Sequence, residues 1–185
     1  MNPVETRGIS FTYDDGTKAL DGVNFILHER EFVGLLASNG GGKTTLLKSL
    51  VGLLQPQQGE ILIKGQKLKS IPQGELYQKV GMVFQNPNDQ LFAPTVIEDV
   101  AFGPLNMGLQ PPEAVARAEE ALKMVDMLHC KDKPIHHLSF GQQKRVCIAG
   151  VLAMRPEILI LDEPTAGLDP LGESDAMHLL KRLNR

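Results

Sequence analysis

The chain has 185 residues, 42% hydrophobic and 22% charged, with a formal net charge of -3; this is ordinary globular composition with enough apolar material for a core. No block of Lys and Arg stands out, which argues against a nucleic-acid partner, and the most apolar runs, FVGLLA and ILILD, are far shorter than the roughly 18 residues a membrane-spanning helix needs. Cys130 and Cys147 have neither CxxC nor zinc spacing, and MNPVETRGISF has no basic n-region followed by an apolar stretch, so the expectation is a reduced, cytosolic protein.

From the N-terminus, GISFTY, the turn DDGTK and VNFILHE predict a small antiparallel sheet within residues 4–33. EFVGLL (31–36) is a continuous apolar run and predicts a buried strand. It is followed by ASNGGGKTT (37–45) and by Leu46, Leu47, Leu50 and Leu54 at helical spacing, giving a strand, a glycine loop and a helix. GEILIKG and KVGMVFQ predict two further strands, separated by the polar segment 65–78. After Pro111 and Pro112, which can only open a helix, Val115, Ala118, Leu122 and Val125 recur at steps of three and four, so residues 87–138 predict a mainly helical insert. A helix near Ser139, the strand EILILDE (157–163) and a helix from about Leu171, still running at Arg185, complete the series. Strands alternating with helices predict a parallel α/β core.

The glycine loop carries the chemistry. Three glycines lose more backbone entropy than other residues, a cost that needs compensation. Without Cβ atoms their N–H groups can curl around an anion, and the following helix N-terminus adds partial positive charge. Lys43 can reach β and γ phosphates, and the Thr44 hydroxyl can ligate Mg²⁺. The loop departs from G-x-x-x-x-G-K-[ST] at Ala37, which is tolerable where φ stays negative. In ILILDEPTAGLDP an apolar strand ends on Asp162 and Glu163: one carboxylate can hold the Mg²⁺ shell, the next can polarise a water for in-line attack. In LSFGQQKR, Ser139 and Gln142 form a capping box. Gly141 keeps that helix start open, so local reading leaves plain cap and phosphate contact side by side.

ASNGGGKTT, Gln85 in VFQNPNDQ, LSFGQ, ILILDEP and AGLD occur in an order and at distances that resemble the ATP-binding subunits of ABC transporters, over almost the whole chain. More narrowly, VFQNPNDQLFAPTVIEDVAFGPLNMGL and the segment from LSFGQ to AGLDP resemble the ATPase subunits of energy-coupling-factor importers, especially those for cobalt or nickel ions. The resemblance implies a P-loop α/β core with a parallel sheet, a small N-terminal antiparallel β lobe and a helical subdomain. As one ABC domain spanning 1–185, the core would be 1–86 and 155–185 and the helical subdomain 87–154, signature loop included.

The same resemblance implies ATP and Mg²⁺ as cofactors and assigns roles. Tyr13 matches the aromatic that stacks on adenine, and Asn39, Gly40, Gly41, Gly42, Lys43, Thr44 and Thr45 match the phosphate loop. Gln85 matches the glutamine that meets Mg²⁺ and the attacking water; Asp162 matches the Mg²⁺ ligand and Glu163 the catalytic carboxylate. Ser139, Gly141 and Gln142 match the signature, which in the family touches the γ phosphate bound by the other subunit of a head-to-tail dimer, and Asp169 the residue lining the dimer seam. Phe140 replaces the usual second signature glycine, a variant at home in the metal-importer group. The family's switch histidine would lie past Arg185, so the chain reads as truncated, and His178 reads as a surface or packing residue.

The expected partners are a transmembrane subunit and a second ATP-binding subunit, at the cytoplasmic face of the membrane, with no nucleic acid. Segment 86–110 should dock the membrane partner through an apolar surface of Leu91, Phe92, Val96, Val100 and Phe102. Cys130, His136 and His137 read as adventitious loop residues rather than a metal site. Competing readings are a non-catalytic ATP-binding fragment, an importer ATPase for a vitamin, and a soluble ABC-type ATPase acting on ribosomes or DNA. The last lacks support from charge or from any long heptad insert. A small GTPase is excluded because no N-K-x-D stretch is present.

Overall fold

Strand β1 (Val4–Thr12) points Val4 and Thr6, then Ile9 and Phe11, into the core. The alternation slips by one residue at Gly8, where φ is +58° and the pairing register shifts, so both halves of the strand bury the same face. Strand β2 (Lys18–Leu27) pairs antiparallel with β1 through the predicted turn, in which Thr17 N–H is bonded to Asp15 Oδ1 at 2.9 Å. Strands β3 (Gln58–Ile63) and β4 (Gln66–Lys67) extend the sheet to the order β2-β1-β3-β4. Helix α1 (Lys43–Leu50) buries Thr45, Leu46, Leu47, Ser49 and Leu50, and α2 (Gln73–Lys79) forms within the segment that reads as merely polar. This computed structural model describes residues 1–38 and 40–184, and the chain divides into two compact units, Met1–Lys79 and Val80–Arg185.

Residues 31–36, expected as a buried strand, are not one. After β2 the chain turns through Arg30 at φ +60°, with Glu31 N–H bonded to His28 O and Glu31 Oε2 accepting from His28 N–H. Among the described residues nothing pairs with 31–36, and Phe32, Val33 and Leu36 are exposed, Leu36 at 98%. An apolar run supplies side chains for a strand but not the neighbour whose N–H and C=O groups complete one.

In the second unit, β5 (Val80–Val83) and β6 (Ile158–Leu161) pair in parallel, Val83 opposite Leu161. Helices α3 (Val96–Asn106), α4 (Pro111–Met124) and α5 (Phe140–Ala153) enclose a core centred on Val96, Val100, Leu122, Val125 and Val146, and α6 (Pro170–Leu183) adds Leu179 and Leu180. Pro111 opens α4 as expected, but the buried stripe is Ala114, Ala118, Ala121 and Leu122, while Val115 faces outward. A small-residue stripe lets α4 lie close to its neighbours, which an apolar-size pattern alone does not reveal. Gly81 serves the same end: a Cβ there would fall 2.3 Å from Val151 Cγ1 of α5. The α/β class, with an antiparallel N-terminal sheet, a parallel pair and a helical set, is the one expected.

Candidate nucleotide site

In the first unit the phosphate loop leads directly into α1. Gly42 is the N-cap at φ +78°, no side chain caps the helix and no acidic residue lies in its first turn, so its leading N–H groups have no side-chain acceptor, as an anion site requires. Lys43 Nζ donates to the loop's own carbonyls, to Ala37 O at 2.9 Å and Ser38 O at 3.2 Å, and Gly41 N–H closes a turn onto Ser38 O at 3.0 Å. Ala37 is not among the residues with positive φ, so a methyl is accommodated where the motif has glycine. Gly40 also sits at φ +76°, and Thr44 is half-buried. Asn39 lies outside the described residues. The Tyr13 hydroxyl shares a hydrogen bond of 2.9 Å with Thr45 Oγ1, its ring meets Phe11 edge-on at 5.0 Å, and 41% of the residue is exposed.

In the second unit the parallel pair sets two carboxylates and an amide at one edge. Because β5 and β6 run together and end together, Gln85 and the pair Asp162–Glu163 leave the same carboxyl end of the sheet. Asp162 N–H extends the ladder to Val83 O at 3.0 Å. Asp162 is 4% exposed. Gln85 Nε2 donates to Glu163 Oε2 at 2.7 Å, a bond in which the Gln85 amide oxygen takes no part. Glu163 stands at φ +45°, a conformation uncommon for a residue with a side chain. Mg²⁺ takes hard oxygen donors, and the Thr44 hydroxyl, the Gln85 amide oxygen and the Asp162 carboxylate are such donors.

The signature helix starts as its sequence predicts. Ser139 Oγ accepts from Gln142 N–H at 3.3 Å while Gln142 Oε1 accepts from Ser139 N–H at 3.0 Å, which completes the capping box. The hydroxyl hydrogen of Ser139 is not consumed by the box. A Cβ on Gly141 would meet only Leu168 Cδ2 at 3.5 Å, an ordinary contact, so glycine here keeps the helix mouth open rather than relieving a clash. Asp169 caps α6, accepting from Gly172 N–H at 2.7 Å. His178 is exposed in α6, its Nδ1 3.5 Å from Ser174 Oγ.

Two parts of the expected docking surface are corrected. Val96 and Val100 are fully buried in the helical core and present no surface. What remains outside is Phe92, 64% exposed and edge-on to Phe102 at 4.6 Å, while Leu91 is half-buried against the core. Cys130 is buried and His136 stacks edge-on with His137; among the described residues no three metal-ligating side chains gather.

Three supporting residues escape sequence reasoning. Gln90 accepts from Phe84 N–H at 3.1 Å and donates to Cys147 O at 2.9 Å, fixing the segment that carries Gln85. Asp99, buried, accepts from both Phe92 and Ala93 N–H at 2.9 Å and so sets the loop that displays Phe92. Lys144, also buried, donates to the carbonyls of Glu163 and Pro164. For Asp99 and Lys144 the available signal is a charged residue at a helical position that faces inward, whereas Gln90 precedes α3 and carries no such signal.

The ABC transporter family model matches residues 20–166. The energy-coupling factor transporter ATP-binding protein EcfA of Methanocaldococcus jannaschii is 55% identical over 187 residues, covering 100% of this chain and 67% of that protein. A putative ABC transporter ATP-binding protein of Geobacter sulfurreducens is 55% identical, covering 95% and 63%; the chain thus spans about two thirds of the length of these relatives. Among solved structures, cbiO1 from Clostridium perfringens, part of the ABC transporter complex cbiONQ, has TM-score 0.88 and 45% identity over 99% of this chain and 74% of its own. A dimeric ATP-binding cassette bound to ADP and Pi has TM-score 0.86 and 34% identity over 98% and 83%. With a family model covering most of its length and a relative 55% identical over all of it, this chain belongs to the ABC transporter family of ATP-binding proteins.

Proposed function

We propose that the chain is the ATP-binding and ATP-hydrolysing subunit of an energy-coupling-factor importer, peripheral at the cytoplasmic face of the membrane, and that it energises uptake of a cobalt or nickel ion. The 2.7 Å bond between Gln85 and Glu163 carries the hydrolytic part, because it groups the amide and the carboxylate that an in-line water needs. Lys43 leaves its loop carbonyls for the β and γ phosphates, and the open N–H groups of α1 take the remaining anionic oxygens. Glu163 accepts the proton of the attacking water while Gln85 orients it. Thr44, Gln85 and Asp162 are the oxygen donors proposed for Mg²⁺, which would neutralise charge developing on the phosphates. Tyr13 releases Thr45 to stack on adenine.

Ser139, Gly141 and Gln142 serve the nucleotide of a second ATP-binding subunit, with Asp169 at the seam. Phe92 and Phe102 form the apolar face that grips the membrane subunit. No helix among the described residues is long and apolar enough to cross a membrane. The metal-ion reading rests on the likeness of the segments following Gln85 and Leu138 to cobalt and nickel importers; a vitamin importer uses the same ATPase chemistry.

Phosphate release from Mg-ATP by the purified chain, beside Glu163→Gln and with nucleotide binding measured in parallel, tests this function. Release that vanishes in the variant while binding persists supports it. Equal release from both proteins removes Glu163 from the reaction, and binding without release in either leaves an ATP-binding protein only.

A further inference from the structure

The N-terminal part of α5 lies on the turn that carries Glu163. Lys144 is 6% exposed and its Nζ donates to Glu163 O at 3.1 Å and to Pro164 O at 3.2 Å, while standing 5.4 Å from the centre of the Phe140 ring. Phe140 in turn fills the space beside Gly167, where a Cβ would come within 3.0 Å of its Cε1 and where φ is +77°. Glu163 O also accepts from Ala166 N–H at 3.1 Å, and Leu168 N–H reaches Thr165 O at 3.2 Å, so residues 163–168 form a tight turn with the ammonium at its base.

Several features make this more than packing. A buried ammonium must find acceptors for its donors, and here the acceptors are two successive main-chain carbonyls at the start of the turn. Their orientation depends on the left-handed φ of Glu163, +45°. The Glu163 carboxylate itself is bonded to Gln85, while Lys144 is bonded to main-chain carbonyls, so the ammonium fixes the turn and the carboxylate keeps Gln85 as its hydrogen-bond partner. Burial lowers the Lys144 pKa, with the charges of Cys147 and Glu163 opposing.

We propose that Lys144 is a positioning residue for hydrolysis, its ammonium clamping the carbonyls of Glu163 and Pro164 so that the Glu163 carboxylate is held against Gln85. The signature helix and the catalytic carboxylate therefore shift together. The inference rests on the reading of Glu163 as the group that activates water. Its consequence is that displacement of α5 is transmitted to the base through a main-chain contact.

The test compares wild type, Lys144→Met, Lys144→Arg and Glu163→Gln for Mg-ATP turnover, and the first three for amide hydrogen exchange at 165–168. Misplacing a catalytic group by an ångström costs up to about 10²-fold. Lys144→Met should therefore lower kcat roughly 10–100-fold with KM little changed, and should speed exchange at 165–168. Lys144→Arg, which retains charge and donors, should recover most of both. Unchanged kcat in an active background, or unchanged exchange in Lys144→Met, overturns the inference. Turnover that survives Glu163→Gln overturns the reading of the base instead, and exchange then still judges the clamp. If the wild-type chain shows no turnover, exchange alone decides. If Lys144→Met does not fold, Phe140→Leu, at a partly exposed position beneath the ammonium, should show the same exchange change in smaller measure, and no change there overturns the clamp.

Discussion

Gly40 and Gly42 share a left-handed backbone, φ +76° and +78°, but not their surroundings, and the difference gives a graded prediction. A Cβ at Gly40 meets nothing within 4 Å, whereas at Gly42 it would fall 2.2 Å from Ala19 O and 3.3 Å from Leu20 Cδ2. Gly40→Ala therefore carries only the left-handed penalty, about 1–2 kcal/mol, or roughly 2–8 °C in Tm for a chain of this size. Gly42→Ala adds an overlap with main chain that no rotamer relieves, worth a further ~1–3 kcal/mol of overpacking, and together the two terms lower Tm by roughly 4–20 °C. The displaced backbone is the N-cap of α1, so the loss extends to the anion site. Titration with Mg-ATP should show Gly42→Ala binding more than about tenfold weaker, a difference of 1.4 kcal/mol, and Gly40→Ala less affected. Thermal unfolding without nucleotide supplies the stability half of the test. Equal effects of the two substitutions would refute the claim that close approach of β2, rather than backbone conformation alone, dictates glycine at position 42.

For Tyr13, stacking on adenine requires the ring and not the hydroxyl: Tyr13→Phe should bind ATP nearly as well as wild type, and Tyr13→Ala should lose about 1–3 kcal/mol; calorimetric Kd values in which Phe and Ala variants suffer alike would sink that role. Burial, with the charge of Asp99 adding and that of Lys144 opposing, pushes the Cys147 thiol up to about 12. The folded protein then keeps this proton where an unfolded thiol, near 9.0, loses it, so the contribution is intact below pH 9 and drains away as pH rises toward 12. Urea midpoints from pH 8 to 11 should fall more steeply for wild type than for Cys147→Ala, by up to about 1.4 kcal/mol per pH unit; parallel slopes count against it. Phe92→Asp alters an exposed ring and should weaken copurification with the membrane subunit while leaving ATP binding intact, and undiminished copurification removes Phe92 from the docking face.

Local chemistry was the legible part of this chain. The capping box at Ser139 and Gln142, the helix opened by Pro111 and the glycine turn that leads into α1 at Lys43 are each written within a few residues, and each is formed. Reading fails where the deciding partner is remote or is main chain. EFVGLL has a strand's side chains, yet nothing among the described residues pairs with it. Val96 and Val100 looked like a docking surface because a helix's apolar face reads the same whether it meets a partner or its own neighbours, and α4 and α5 claim it here.

The residues that organise the site were hidden for a related reason. Gln90, Asp99 and Lys144 act on backbone groups of Phe84, Phe92, Ala93, Glu163 and Pro164, and a carbonyl or N–H has no letter in the sequence. A buried charge is expensive unless it is satisfied, so an acidic or basic residue on the inward face of a helix signals that some backbone segment depends on it. In this protein the dependent segments are those bearing Phe92 and Glu163, the first proposed to face the membrane partner and the second to activate water. The helical core thus does more than fill space: its charged members fix the two places where chemistry and coupling are proposed to occur.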